Sequence, residues 1–150
     1  MTFYSFTLLH VGVAVPSLEP TTELLKALFG YRVVSGPFDD PVHKVTVSFL
    51  ATGVHDVPQI ELIAPLGEDS PINLMLTREG VTAYHLCFET TDIVGALAHA
   101  KKNGCVIVSA PKPAVAFQGR RVAWIYTQSN QLFEFLEADP DLSRVEKAQL

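Results

Sequence analysis

The chain has 150 residues, 48% of them hydrophobic and 18% charged, and a net charge of −5. This length suits one compact domain that buries roughly 68–70% of its unfolded surface, and the composition argues against disorder. The acidic balance excludes binding to a nucleic-acid backbone: the nearest approach to a basic cluster is Lys112, Arg120 and Arg121, enough for one small anion.

The N-terminal stretch MTFYSFTLLH carries no basic region and no long apolar run, so neither a signal peptide nor a membrane anchor is expected. Residues 8–15 (LLHVGVAV) read as a strand. TTELLKALFG (21–30) follows with helical spacing of Leu24, Leu25 and Leu28 and a glycine stop. YRVVSG (31–36) reads as a short strand closed by Gly36 and Pro37, FDDPVH as a loop, and KVTVSFLATG (44–53) and PQIELIAP (58–65) as strands. In the connector, SPINLML predicts a short helix with Ser70 at its N-cap and Pro71 at its first position.

From residue 82 the pattern begins again. AYHLCFET is a strand and DIVGALAHAKKNG (92–104) a helix, followed by strands CVIVSAP, RRVAWIYT (120–127) and QLFEFLEA (131–138); a frayed or docked tail ends the chain. The halves match at offsets of 73–75 residues: His10 with His85, Gly30 with Gly104, Phe49 with Trp124, Thr52 with Thr127, Glu61 with Glu134. The expected architecture is therefore α+β: one domain of two paired βαβββ modules, about 8–66 and 82–138, with connector 67–81, whose curved mixed sheet forms a cleft.

Side chains alternate across a strand. His10 thus shares a face with Gly12 and Ala14, opposite the valines, and His85 shares one with Cys87, opposite Leu86 and Phe88. Glu61 lies opposite Ile60 and Leu62, and Glu134 opposite Phe133 and Phe135. Taken singly, a strand histidine is more often a satisfied core residue and a strand glutamate more often faces water. Repetition in register in both halves favours another reading: an ionised glutamate among Ile, Leu and Phe is costly unless paired or metal-bound. Two nitrogen and two oxygen donors suit a divalent Co, Zn, Ni, Mn or Fe ion. Cys87 and Cys105 form no CxxC, which points to a reducing cytosol.

LHVGVAV, PQIELIAPLGEDSPI, AYHLCFETTDI and QLFEFLEA resemble the vicinal oxygen chelate superfamily (the glyoxalase/bleomycin resistance/dioxygenase fold) and within it are most similar to methylmalonyl-CoA epimerases. The similarity spans about residues 8–138. It implies metal ligands at His10, Glu61, His85 and Glu134, a small-molecule substrate and a cytosolic homodimer, with no nucleic-acid or membrane partner. Three positions depart from the epimerase pattern. Tyr84 stands where a second histidine is usual, Val47 where some epimerases carry a glutamate base, and Tyr126-Thr127-Gln128 where His-Pro-Lys is usual.

With no carboxylate at Val47, the base falls to Glu134 first and Glu61 second. The reading is a metal-dependent isomerase of epimerase type acting α to a carbonyl, that of an acyl-CoA thioester or a related α-acidic carbonyl compound. The alternatives are a glyoxalase I-type lyase on a thiol hemithioacetal, a metal-free binding or resistance protein of the same fold, and, ranked lower, a dioxygenase. Arg121 is the candidate clamp for a substrate anion. Phe49 and Trp124 read as shared core. Tyr84 by alternation faces away from His85, and His43, His55 and His99 read as bystanders.

Overall fold

The computed structural model describes residues 5–140; the expected tail from 141 onward lies outside the described residues. Eight strands form one sheet: β1 (Phe6–Ala14), β2 (Arg32–Asp40), β3 (Val45–Ala51), β4 (Gln59–Pro65), β5 (Thr82–Thr90), β6 (Val106–Pro113), β7 (Arg121–Tyr126) and β8 (Leu132–Glu137). Three helices connect them: α1 (Leu18–Phe29), α2 (Pro71–Glu79) and α3 (Ile93–Lys102). The strand order is β2-β3-β4-β1-β5-β8-β7-β6. Each half repeats one pattern, in which the first strand pairs parallel with the fourth, and the halves join where β1 runs antiparallel to β5.

The elements follow local chemistry. α1 begins three residues earlier than the leucine spacing predicts, at Leu18, because Pro20 falls in the first turn, where its missing N–H is not needed. α2 has the expected cap: the Ser70 side chain accepts from the Ile72 N–H, and Pro71 is the first helical residue. α3 is capped by Asp92, whose carboxylate accepts from the Gly95 N–H at 2.9 Å.

β2 differs from expectation. It runs through Gly36-Pro37 to Asp40 instead of closing there, so the expected FDDPVH loop shrinks to the turn after Asp40. β2 is a sheet edge, and an edge tolerates proline; a register shift between Ser35 and Phe38 absorbs the dipeptide. The opposite edge, β6, likewise carries Pro111 and Pro113.

α1 and α3 cover the outer faces of the two halves. Under α3, Ile93, Ala96, Leu97 and Ala100 pack on Ala123, Ile125 and Phe135. Under α1, Leu18 and Leu25 pack on Val15, Leu50, Leu62 and Ala64. Fully burying a Leu such as Leu50 or Leu62 contributes about 1.5–3 kcal/mol. The inner faces carry two further clusters, around Val47 and Ile63 in the first half and around Val122 and Leu136 in the second. With α1 and α3 outside, the inner faces are left to enclose a cleft, and α2 packs at its wall through Ile72, Met75 and Leu76.

Candidate metal centre

His10, Glu61, His85 and Glu134 come from β1, β4, β5 and β8, the four central strands. All four are buried, and one ligand atom of each lies within 4.8 Å of the others. His10 Nε2 is 2.8 Å from Glu61 Oε2 and 3.1 Å from Glu134 Oε2. His85 Nε2 is 3.3 Å from Glu61 Oε2, 3.2 Å from Glu134 Oε2 and 3.2 Å from His10 Nε2. Ligand atoms bonded at 2.0–2.2 Å to one ion stand roughly 2.8–3.6 Å apart at octahedral or tetrahedral angles. The spacing therefore suits a single divalent cation, and the donor set contains no thiolate.

Electrostatics point the same way. Burial opposes a charged imidazole at His10, but the Glu61 charge and hydrogen bonds to Cys87, Glu134 and Glu61 outweigh it and raise its pKa. At His85 burial is likewise outweighed, by hydrogen bonds to and the charges of Glu134 and Glu61. Burial disfavours the Glu134 carboxylate, yet the hydrogen bonds and charges of His10 and His85 hold it at about 2. Glu61 is lowered for the same reasons. Two buried carboxylates that stay ionised demand positive charge between them, as bound metal or as protons on the imidazoles.

The quartet sits at the floor of a cavity of about 1060 Å³ lined by Glu61, His85 and Glu134, with walls from α2, β3, β6 and β7. His10 lies behind them, edge-on to Phe49 (5.5 Å between centroids) and stacked with Phe117 (6.0 Å, 9°). Phe117 belongs to a 3-10 turn, Val115–Phe117, between β6 and β7. That turn is tied to the first half by the Val115 N–H, which donates to the Asp40 carboxylate at 3.4 Å.

Several expectations change. Arg121 does not line the cavity: its guanidinium holds the Glu137 carboxylate through Nε and Nη2, the latter at 2.6 Å. Arg120 pairs with Glu89 and lies over Phe117. The cations that do line the cavity are Lys44, Arg78 and Lys112. Phe49 is core, but its counterpart Trp124 lines the cavity and meets the His85 ring edge-on at 4.8 Å. His43 is no bystander in position: it lines the cavity, and its Nδ1 is 2.9 Å from Asp40 Oδ2. His55 and His99 do not line it.

Tyr84 also lines the cavity, on the same side as His85. Alternation misdirects it because β5 carries a bulge: Gly12 pairs with His85 and Val13 with Ala83, leaving Tyr84 extra. Burial, then the charges of Glu61, Glu134 and Tyr126, raise the Tyr84 phenol above its ordinary value. No composition signal marks the bulge; the one available hint is that Tyr84 stands next to a residue already singled out.

Comparison with known proteins agrees with this geometry. Residues 9–124 match the Glyoxalase/Bleomycin resistance protein/Dioxygenase superfamily. The chain is 33% identical over 118 residues to an ethylmalonyl-CoA/methylmalonyl-CoA epimerase of Cereibacter sphaeroides, covering 78% of this chain and 85% of that protein. Among solved structures, a hypothetical protein from Bacillus halodurans aligns with a TM-score of 0.79 at 28% identity, covering 90% of this chain and 96% of that one. Methylmalonyl-CoA epimerase from Mycobacterium tuberculosis aligns at 0.77 and 25%, covering 92% and 91%. The match over most of its length, together with the two-module sheet, makes this chain a member of the glyoxalase/bleomycin resistance protein/dioxygenase superfamily.

Proposed function

We propose that the protein is a metal-dependent epimerase that removes and returns the proton α to the carbonyl of an acyl-CoA thioester. The observation that carries this reading is the convergence of His10, Glu61, His85 and Glu134, at 2.8–3.3 Å spacings, on the floor of an open cleft. The likeness to an acyl-CoA epimerase along most of the chain supports the substrate class.

A divalent ion held by those four residues (Co, Zn, Ni, Mn or Fe) would supply a Lewis acid that stabilises negative charge developing on a substrate carbonyl. Epimerisation needs a proton taken from one face of the α-carbon and returned to the other. Glu134 and Glu61 come from equivalent strands of the two halves and each lies against both imidazoles; we assign Glu134 as the first candidate base and Glu61 as the second. Phe49, behind His10, and Phe117, at the cavity wall, pack on the His10 ring from two sides and limit the access of water to it. The cleft exceeds the roughly 300–1,000 Å³ of most small-molecule sites, which leaves room for a long acyl carrier. Arg78 and Lys112 provide positive charge along its walls for carrier phosphates, whereas the Lys44 ammonium is paired with Asp69.

We read the protein as a cytosolic homodimer. The two cysteines are free, no helix among the described residues is long and apolar enough to cross a membrane, and α1 leaves Leu24, Leu28 and Phe29 more than half exposed.

The deciding measurement is deuterium wash-in from D₂O at the α-carbon of methylmalonyl-CoA, before and after chelation. Exchange that stops on chelation and returns with added metal is the expected result. Metal-loaded protein that exchanges no α-proton, yet turns over a methylglyoxal–thiol adduct, would replace this reading with the lyase.

A further inference from the structure

The ligand set leaves Tyr84 unused, although it stands beside it in the cleft. Because Tyr84 is the extra residue of a β-bulge, its side chain and that of His85 both turn to the cavity. The phenol ring meets the imidazole edge-on, with 4.6 Å between centroids and 76° between planes. The ring body packs against the cluster of Ala14, Val47, Phe49, Ile63 and Ile72, which fixes its direction. Its hydroxyl hydrogen-bonds to none of the described residues.

The first half contains the control for this position. Leu9, the equivalent residue, is also the extra residue of a bulge, since Leu8 pairs with Phe88 and His10 with Cys87. It packs against Cys87, Ala114, Val122 and Leu136. An apolar side chain therefore satisfies the fold at this point, and the hydroxyl on the second copy serves something other than packing. A phenol is a hydrogen-bond donor that needs no proton transfer to act, whereas ionised carboxylates only accept.

Resting on the epimerase reading above, we infer that Tyr84 is a catalytic residue whose O–H donates a hydrogen bond to the substrate oxygen that gains negative charge as the α-proton leaves. In that step the α C–H bond breaks and its proton passes to the carboxylate base. The electron pair delocalises onto the thioester oxygen, and Tyr84 keeps its own proton while its hydrogen bond strengthens. On reprotonation the charge leaves the oxygen and the bond relaxes.

The test is Tyr84→Phe in the metal-loaded protein, which removes the O–H and keeps the ring. Melting temperature and metal stoichiometry are expected to match wild type. The key probe is 2-nitronate-propionyl-CoA, deprotonated at the α-carbon and so carrying delocalised negative charge. Its affinity is expected to fall about 100-fold, while that of propyl-CoA, a thioether without the carbonyl oxygen, stays unchanged. The kcat for α-deuterium exchange should fall by a similar factor with KM little altered. Undiminished nitronate affinity overturns the inference, and so does equal weakening of nitronate and thioether, which marks a steric effect. If wild type washes in no deuterium but Tyr84→Phe still loses nitronate selectively, the donor stands and the epimerase reading falls. If wild type binds neither analogue, both fall.

Discussion

Gly12 and His85 face each other across the β1–β5 ladder, and the imidazole fills the space that a side chain at position 12 would need. A Cβ there would lie 1.9 Å from His85 Cε1 and 2.3 Å from Nδ1. The reciprocal pair is His10 opposite Cys87, so the local twofold exchanges a glycine for a thiol. The Cys87 thiol hydrogen-bonds the His10 ring, whereas His85 Nδ1 is buried with no partner among the described residues. Ligating histidines usually donate their second N–H to a neighbour. His85 is instead held by shape, with Gly12 beneath it and Tyr84 and Trp124 at its edges.

Gly12→Ala should therefore act through His85. The buried ring cannot swing clear, so the substitution is expected to cost about 1–3 kcal/mol of stability by overpacking and to weaken metal binding at least tenfold. Thermal unfolding and titration with Co²⁺ measure the two effects. Unchanged Co²⁺ affinity would show that His85 is not held as described.

His85→Ala and Glu134→Ala test the quartet directly. Each is expected to lower metal affinity by more than about 100-fold, beyond the loss typical of an outer-shell change, and to abolish α-proton exchange, with the folded far-ultraviolet spectrum retained. Metal content of the purified variants at wild-type level in both cases would remove these residues from the ligand set.

Asp40 links the two halves at the cleft rim. Oδ1 accepts from the Val42 and His43 N–H groups at 3.0 Å, and Oδ2 meets His43 Nδ1 and the Val115 N–H. Asp40→Asn turns an amide NH₂ toward donors and is expected to cost about 1–3 kcal/mol in urea unfolding at pH 7.

The same residue predicts a pH dependence. Burial would push the Asp40 carboxyl up, but hydrogen bonds from the His43 backbone and ring, the His43 charge and the Val115 N–H lower it below its ordinary 3.8. A carboxyl depressed on folding contributes stability that is complete above its unfolded value and is lost as pH falls through its folded value. The stability gap between wild type and Asp40→Asn should thus be full at pH 7 and shrink as pH falls below about 4. A gap that stayed constant down to pH 2 would contradict the assignment.

Arg121→Ala should leave KM for an acyl-CoA within about twofold of wild type, since its guanidinium is committed to a half-buried pair with Glu137 outside the cavity. The same substitution at Lys112, which lines the cavity, is the one expected to raise KM.

Much of the site was legible because duplication writes the same signal twice. A histidine on the first strand and a glutamate on the fourth, repeated at offsets of 73–75 residues, single out His10, Glu61, His85 and Glu134 from residue order alone. Parallel pairing of first and fourth strands then brings each His–Glu pair side by side, and the β1–β5 join brings the pairs together. Arg121 was misleading because a charge in sequence says nothing of its partner; Glu137, sixteen residues away, becomes its neighbour only when β7 and β8 lie together.

The sequence by itself determined the two-module plan, the four polar residues and their common face, because hydrophobic alternation and repetition are properties of chain order. The tertiary structure alone decided what surrounds them. Bulges at Leu9 and Tyr84 break the period of two, so Tyr84 enters the cleft that alternation denies it. Trp124 and His43 enter because the second half and the β2–β3 turn open onto the cavity, while Phe49 is sealed behind His10. A bulge is settled by how one strand's ladder meets another's, and that pairing is a long-range contact which no local stretch of sequence encodes.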